Sequence, residues 1–244
     1  MAAIALVVCC VLSLAGFSFA EEKQEKTASP RAHIGIGIKI SSLGAGAEVA
    51  LPLLRHSSLR AGFNYFLYDH DLASSGVGYR GELNLRSAQA SFDWYPFHGR
   101  FHVGPTVLVY NASHVQAKVA VPAGQVFTLT NNTYQSDAFD PIHGTASMTF
   151  PKLAPGVLVG WGNLAGRRKH FTVPFELGLI FEGAPHVSLN LTGTGCDVSG
   201  LGCSPLRSDP AGANAIRAEQ QKIAREVTFL RVYPVVSVGL GYSF

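Results

Sequence analysis

The segment 230–244 alternates between apolar positions and small or polar positions along its whole length. One register carries Leu230, Val232, Pro234, Val236, Val238, Leu240, Tyr242 and Phe244, and the other carries Arg231, Tyr233, Val235, Ser237, Gly239, Gly241 and Ser243. A period of two is typical of a β-strand, because successive side chains of a strand point to opposite faces. A soluble sandwich would bury such an apolar face, whereas an exported chain more often turns it toward lipid.

Seven further segments upstream alternate in the same way. They cover residues 34–40, 45–53, 59–67, 88–94, 101–109, 153–161 and 171–181. Leu83 and Leu85 are out of phase with the segment that follows them, so we expect a bulge or a loop end there. The pattern predicts an all-β fold, an eight-stranded antiparallel transmembrane β-barrel, because inside a bilayer an open sheet edge would leave backbone groups unpaired.

The connections between these segments alternate in length. Residues 55–58, 98–100 and 165–170 make short polar turns, whereas residues 69–82, 111–148 and 183–228 make long connections; the short connection 41–44 is the exception. Short turns at one end and long loops at the other are typical of bacterial outer-membrane barrels. We therefore expect short periplasmic turns, long extracellular loops and aromatic belts at both membrane interfaces.

Composition agrees with strands that cross a membrane. Charged residues make up 14% of the chain and hydrophobic residues 47%, yet after the N-terminus no apolar run reaches the ~20 residues of a spanning helix. The net charge of +3 is small, and no basic stripe interleaved with aromatic residues is present, so nucleic acid is not an expected partner.

The first twenty residues predict a signal peptide, with an apolar core over residues 4–14 and small Ser18 and Ala20 before the cleavage point. A single N-terminal membrane anchor is the alternative. We expect residues 21–31 to form a flexible polar leader and residues 32–244 to form the barrel. In an exported chain Cys196 and Cys203 are expected to form a disulfide, with two free thiols as the alternative.

The inward register of the strands contains a balanced set of charges. An eight-stranded barrel is just wide enough for side chains to fill it, and a charge there is costly unless it is paired. We therefore predict internal salt bridges and no wide aqueous channel, formed by Lys39, Glu48, Arg60, Asp93, Glu176 and Arg231. For Glu176 and Arg231, on neighbouring strands, a structural ion pair is favoured over a gating pair in a pore.

The last long connection contains a helical pattern. Ile216, Ile223 and Val227 recur at helical spacing, and Pro210 precedes them. This short helix could cap the barrel mouth or form a solvated excursion without a role.

Together, the signal peptide, the amphipathic strands and the long loops resemble the small outer-membrane β-barrel proteins of the OmpA/OmpX type. Tyr242 and Phe244 are similar to the C-terminal signal that the outer-membrane assembly machinery reads in that class. The resemblance implies location in the outer membrane of a Gram-negative cell. It also implies contact with outer-membrane lipid and lipopolysaccharide, and assembly with the help of periplasmic chaperones.

Candidate catalytic and metal-binding residues are sparse. His186 and Ser188 are similar to the base and nucleophile of outer-membrane lipid A deacylases, but Leu189 stands where that family has Asn. In strict strand phase both side chains would point into the lumen, unless residues 183–185 form a bulge that reverses the phase. Asp69, His70 and Asp71 with His114 and His143 have no metal-specific spacing.

We therefore expect no catalysis, no cofactor and no metal site. The expected role is structural or one of surface recognition, through residues 111–148 and 183–228. The alternatives are a narrow porin-like conduit for small or apolar solutes and a lipid A-modifying hydrolase.

Overall fold

A computed structural model describes residues 34–74, 77–97, 99–130, 132–166, 170–198 and 202–244. The predicted signal peptide, 1–20, and the predicted leader, 21–31, lie outside the described residues. Within them, no helix has both the length and the apolar character needed to cross a membrane.

The described part of the chain is built almost entirely from β-strands. The strands are β1 (Gly35–Ser41), β2 (Gly44–Leu54), β3 (Ser57–Ser74), β4 (Val77–Trp94), β5 (Phe101–Asn111), β6 (His114–Ala120), β7 (Val126–Leu129), β8 (Asn132–Ser136), β9 (His143–Thr149), β10 (Ala154–Trp161), β11 (His170–Thr172), β12 (Phe175–Phe181), β13 (His186–Thr192), β14 (Thr194–Asp197), β15 (Cys203–Pro205) and β16 (Val232–Ser243). Helix α1 (Pro210–Glu226) and a 3₁₀ turn (Val227–Arg231) precede β16.

Antiparallel pairing closes a barrel among the described strands, in the order β1, β2, β3, β4, β5, β10, β12, β16 and back to β1. Gly37 of β1 lies opposite Glu48 of β2 on one side and Gly241 of β16 on the other, so the ring has no free edge. Strand β11 pairs with β16 beside β12 and occupies the same position in the ring. These strands correspond to the eight predicted segments, which confirms the predicted fold class.

One side of the barrel continues upward as a taller sheet, which we call the raised wall. It consists of the upper ends of β3 and β4 together with β6, β9 and β13. Strand β4 pairs with β5 near its end and with β6 farther up, and β9 and β13 follow in the same order as β10 and β12 below. The seven residues of β6 raise this wall by about 20 Å at the usual rise of a strand.

The raised wall corrects the prediction that residues 69–82, 111–148 and 183–228 are loops. Strands β3 and β4 remain paired up to Ser74 and Val77. Leu83 and Leu85 belong to this regular hairpin, and the pairing shift lies lower, where β4 meets β5 at Ala88 and Gln89. Leu83 is out of phase because the wall carries its apolar side chains on the lumen side, whereas the barrel below carries them on the outside.

A small folded unit, which we call the cap, packs on the lumen side of the raised wall. It contains the sheet β7–β8–β14–β15 and helix α1. Buried side chains hold it together: Val121, Leu129, Ile142, Leu191, Leu206, Ala215 and Ile216. Pro210 occupies the first turn of α1, and the Asp209 carboxylate accepts a hydrogen bond from the Gly212 amide at 3.0 Å. The predicted helix is therefore confirmed.

The barrel is apolar on its outside and polar within. Ile36, Ile38 and Ile40 of β1 leave 48%, 64% and 70% of their surfaces exposed, whereas Lys39 between them is buried. This arrangement is the reverse of a water-soluble protein, in which apolar side chains form the interior.

Candidate functional site: the barrel lumen and the cap

The centre of the lumen is occupied by Arg60, which is 3% exposed. Its Nη2 lies 3.1 Å from Asp93 Oδ1 and its Nη1 lies 3.5 Å from Glu48 Oε2. Nη1 also contacts Glu176 Oε1, and Lys39 Nζ lies 3.1 Å from Glu48 Oε2. Five of the predicted lumen charges thus meet in one buried network. Pairing of this kind is what makes buried charges tolerable.

His102 completes this network, although the alternation of residues did not predict its role. Its Nε2 lies 3.2 Å from Glu176 Oε1, and Ser237 donates a hydrogen bond to Glu176 Oε2 at 3.1 Å. The His102 ring lies against Gly160, where a Cβ would come within 2.6 Å of it. The sequence contained one signal for this position. His102 lies in the inward register of β5, and a large side chain can fill the space beside a glycine on the neighbouring strand.

Arg231 is the predicted network residue that lies elsewhere. It is exposed and belongs to the 3₁₀ turn before β16, so the predicted inward position and the predicted ion pair with Glu176 are wrong. Strand β16 begins at Val232, because the chain enters it from helix α1. The alternating pattern continues back to residue 230, beyond the start of the strand at Val232. The residue of β16 that lies opposite Glu176 is Ser237.

Apolar clusters of buried side chains lie on both sides of the charged network. At the long-loop end, Leu43 from the β1–β2 turn packs with Leu108, Ala154, Leu158, Ile180 and Val235. At the short-turn end, Leu164 and Ala165 pack with Ala50. A Cβ at Gly35 or Gly241 would collide with Leu164, so these glycines make room for it. Along the barrel axis, the described buried side chains therefore form an apolar, a charged and an apolar layer.

Above the upper apolar cluster, a buried carboxyl group lies without a cationic partner among its described contacts. Asn111 Nδ2 donates a hydrogen bond to Glu182 Oε1 at 3.4 Å, and both residues are buried. Glu182 follows the end of β12. Burial raises the pKa of Glu182 to about 7, although the hydrogen bond from Asn111 acts in the opposite direction.

In the cap, Cys196 and Cys203 form a disulfide that joins the paired strands β14 and β15. Asp137 lies beside them, and these three residues are the group with metal-binding spacing found among the described residues. The disulfide occupies both sulfur atoms, so no thiolate is available as a ligand. The histidines weighed as metal ligands are apart, because His114 and His143 lie at opposite ends of the β6–β9 ladder.

His186 and Ser188 lie on one face of β13, and the described hydrogen bonds include none that joins them. His186 pairs with Thr149, and Thr149 pairs with His114. Their side chains lie on the face of the sheet that continues the outside of the barrel. The segment 183–185, in which Gly183 has a φ of 76°, therefore reverses the strand phase. Tyr242, the first residue of the predicted assembly signal, packs between Phe171 and Phe244, with ring centroids 4.9 Å and 5.0 Å away.

The solved structures that are similar to this chain include two from Acinetobacter baumannii. The crystal structure of Acinetobacter baumannii CarO has a TM-score of 0.56 at 18% identity and covers 88% of this chain and 100% of its own. That of Acinetobacter baumannii CarO2 has a TM-score of 0.55 at 16% identity, with 87% of this chain and 98% of its own covered. No family model and no curated relative matches the sequence.

At these identities the likeness concerns the fold. It agrees with the closed antiparallel ring, the apolar exterior and the polar interior of this chain. The chain therefore has the fold of the small, eight-stranded outer-membrane β-barrels.

Proposed function

We propose that this chain is an integral outer-membrane protein that does not conduct solutes and acts through the part it displays outside the membrane. The observation that carries this proposal is the set of buried side chains inside the barrel. Arg60, Glu176 and their partners occupy its centre, and Leu43 and Leu164 belong to the apolar clusters on either side. A conduit needs a continuous aqueous path, and layers of buried side chains along the barrel axis argue against one.

Location in the outer membrane is supported by the exterior. The exposed isoleucines of β1 and the aromatic residues near both ends of the strands form a surface that water would disfavour and hydrocarbon would cover. The similarity of fold to CarO adds support. Under this proposal, Tyr242 and Phe244 are read by the assembly machinery, and lipopolysaccharide surrounds the outer end.

A structural or recognition role is supported by the cap. It has its own apolar core, a disulfide and a capped helix, and Gln220 of α1 donates a hydrogen bond to the Val187 carbonyl of the raised wall at 2.9 Å. A preformed surface of this kind suits binding, because little ordering is needed when a partner arrives.

Two measurements test the proposal. Membrane fractionation with heat-modifiable gel migration is expected to place the folded barrel in the outer membrane. In planar lipid bilayers the purified protein is expected to give no steady channels, and steady channels of appreciable size would favour the narrow conduit instead. Lipid A from cells with and without the chain is expected to have the same acyl pattern by mass spectrometry; a changed pattern would support the hydrolase.

A further inference from the structure

The raised wall ends on one side in a strand edge that has no neighbour among the described strands. Strand β2 pairs with β3 as far as Tyr65, which lies opposite Ala45. Beyond that pair, residues 66–71 of β3 pair with β4 on one side only. We call this segment the open edge, and we infer that it binds an extended polypeptide segment with basic residues at alternate positions, which joins the wall as a further strand. The inference rests on the proposed display of the wall outside the membrane.

The backbone of the open edge directs hydrogen-bonding groups away from β4. The carbonyl of Tyr65 points toward β2, because a Cβ placed on Gly44 would come within 2.5 Å of it. The carbonyl of His70 points toward β4, where a Cβ placed on Gly81 would lie 3.7 Å from it. Successive residues of an antiparallel strand alternate between these two directions. The residues whose N–H and C=O groups face the open edge are therefore Leu67, Asp69 and Asp71. None of the hydrogen bonds found between described residues occupies these groups.

The side chains of the open edge are exposed on both faces of the sheet. All residues from 66 to 71 are exposed, so neither the described cap nor the described barrel covers them. On the lumen side, the rings of Phe66, Tyr68 and His70 stack in sequence, with centroids 6.5 Å and 5.9 Å apart. Natural proteins usually shorten, bend or cover such an edge, because it is a template for pairing with another chain. This one offers about 20 Å of strand at the usual rise per residue.

The charges beside the open edge favour a basic partner. Asp69 and Glu82 lie directly opposite each other on the outward face, an arrangement that is destabilising for like charges. The cations on the same face of this hairpin are engaged elsewhere. Arg80 Nε lies 2.6 Å from Asp71 Oδ1, and the guanidinium of Arg86 lies 5.5 Å from the centre of an aromatic ring on β3. Among the described ion pairs, none includes Asp69 or Glu82, so a basic side chain on an added strand would compensate their charge.

The same charges argue against a second copy of this chain as the occupant. Antiparallel pairing of two open edges would place Asp69 and Asp71 of one copy beside the same carboxylates of the other. A segment that alternates basic and apolar residues suits both faces, because every second side chain of a strand shares a face. Its basic residues would lie beside Asp69, and its apolar residues beside Tyr68. In this mode of recognition the backbone supplies affinity and the alternate side chains supply specificity.

The test uses the full chain in nanodiscs of neutral phosphatidylcholine and a seven-residue peptide of alternating lysine and valine. Amide hydrogen exchange, followed by NMR, is the readout. In the free protein, the amides of Leu67, Asp69 and Asp71 are expected to exchange faster than those of the residues between them. The peptide is expected to slow exchange at these three positions about tenfold near saturation. Exchange that the peptide leaves unchanged would overturn the inference.

Two further peptides separate strand pairing from charge attraction. The first has a methyl group on every peptide nitrogen; it keeps the lysines but cannot donate backbone hydrogen bonds, and it is expected to give no protection. The second has glutamate in place of lysine and is also expected to give none. Equal protection by the methylated peptide would contradict the added strand, and equal protection by the glutamate peptide would contradict the preference for basic residues. Protection that rises with protein concentration alone would assign the edge to a second copy.

Substitutions at the open edge provide the second measurement. Leu67→Pro removes an N–H that does not pair with β4, so the barrel should still fold, which heat-modifiable migration checks. It is expected to weaken binding of the lysine–valine peptide about tenfold, whereas the matched control Leu67→Val keeps the N–H and the wild-type affinity. Equal affinities of these two variants would contradict the inference.

A charge reversal tests the preference for basic residues. Asp69→Lys is expected to weaken binding of the same peptide about tenfold, because attraction becomes repulsion. Glu226→Gln, exposed on α1, is the control and should bind as the wild type does. Unchanged affinity of Asp69→Lys would contradict the assigned partner. Absence of the folded chain from the outer membrane would contradict the proposed function, whereas an inserted barrel whose edge amides gain no protection would contradict only this inference.

Discussion

Arg60 and Glu176 form an ion pair across the centre of the barrel, from strands that lie opposite each other in the ring. Strand β3 carries Arg60 and strand β12 carries Glu176, and in the described ring equal numbers of strands separate them on either side. The same guanidinium contacts Glu48 and Asp93. One side chain thus links strands β2, β3, β4 and β12 through the interior. Its positive charge compensates three buried carboxylates.

Replacing Arg60 is expected to destabilise the barrel strongly. Arg60→Ala leaves buried carboxylates without their partner, and breaking a buried pair in this way typically costs about 3–5 kcal/mol. The midpoint of urea unfolding in detergent micelles, followed by heat-modifiable migration, measures the effect. Arg80→Ala removes the exposed pair with Asp71 and is the matched control, for which little change is expected. Arg60→Ala combined with Glu176→Gln should be more stable than Arg60→Ala alone, and a less stable double variant would contradict the pairing.

Each apolar cluster should contribute to the stability of the barrel, but neither alone should be needed to prevent ion conduction. Leu43→Ala and Leu164→Ala leave cavities in buried clusters, for which a loss of about 2–4 kcal/mol is expected. Leu51→Ala, on the exposed lipid-facing side of β2, should cost less because lipid can fill the space. Neither lumen variant should conduct ions in planar bilayers, because the charged network remains. Conductance of Leu43→Ala alone would show that the upper cluster is the seal.

Glu182 should make stability fall as pH rises. Its pKa is about 7 in the folded chain and about 4.5 as the ordinary value, so the folded state holds the proton more tightly. The corresponding stability is fully present below about pH 4.5 and is lost as pH rises through about 7. Glu182→Gln is expected to remove this part of the pH dependence in unfolding experiments between pH 4 and 8. Glu226→Gln, exposed on α1, is the control. Unchanged pH dependence in Glu182→Gln would contradict the assignment.

The disulfide should stabilise the cap and leave the barrel intact. Cys196 and Cys203 are seven positions apart in the sequence, and the loop-closure estimate for so short a loop is about 2–3 kcal/mol. In the variant Cys196→Ser, Cys203→Ser, trypsin is expected to cut the cap faster at exposed Arg207, while heat-modifiable migration of the barrel stays unchanged. Loss of the folded barrel band in this variant would mean that cap and barrel unfold together.

Much of the barrel could be predicted from alternation, because a membrane gives each strand one apolar and one small or polar face. The inward positions of Lys39, Glu48, Arg60, Asp93 and Glu176 follow from that rule, and the structure places them together. The rule failed at Arg231, because the alternating pattern extends farther toward the N-terminus than strand β16 does. It also failed along the raised wall, where water lies outside and the cap lies within, so the apolar face of β4 changes sides between Phe92 and Leu83.

The sequence by itself determined the strands of the barrel, their inward and outward faces and the helix before the last strand, since these depend on the periodicity of neighbouring residues. Tertiary structure alone decided which charges pair, that His102 joins them, that Leu43 and Leu164 turn into the lumen, and that the long connections build a wall and a cap. Those features depend on contacts between residues far apart in the chain. No local pattern encodes such contacts, because they form only when the ring of strands closes.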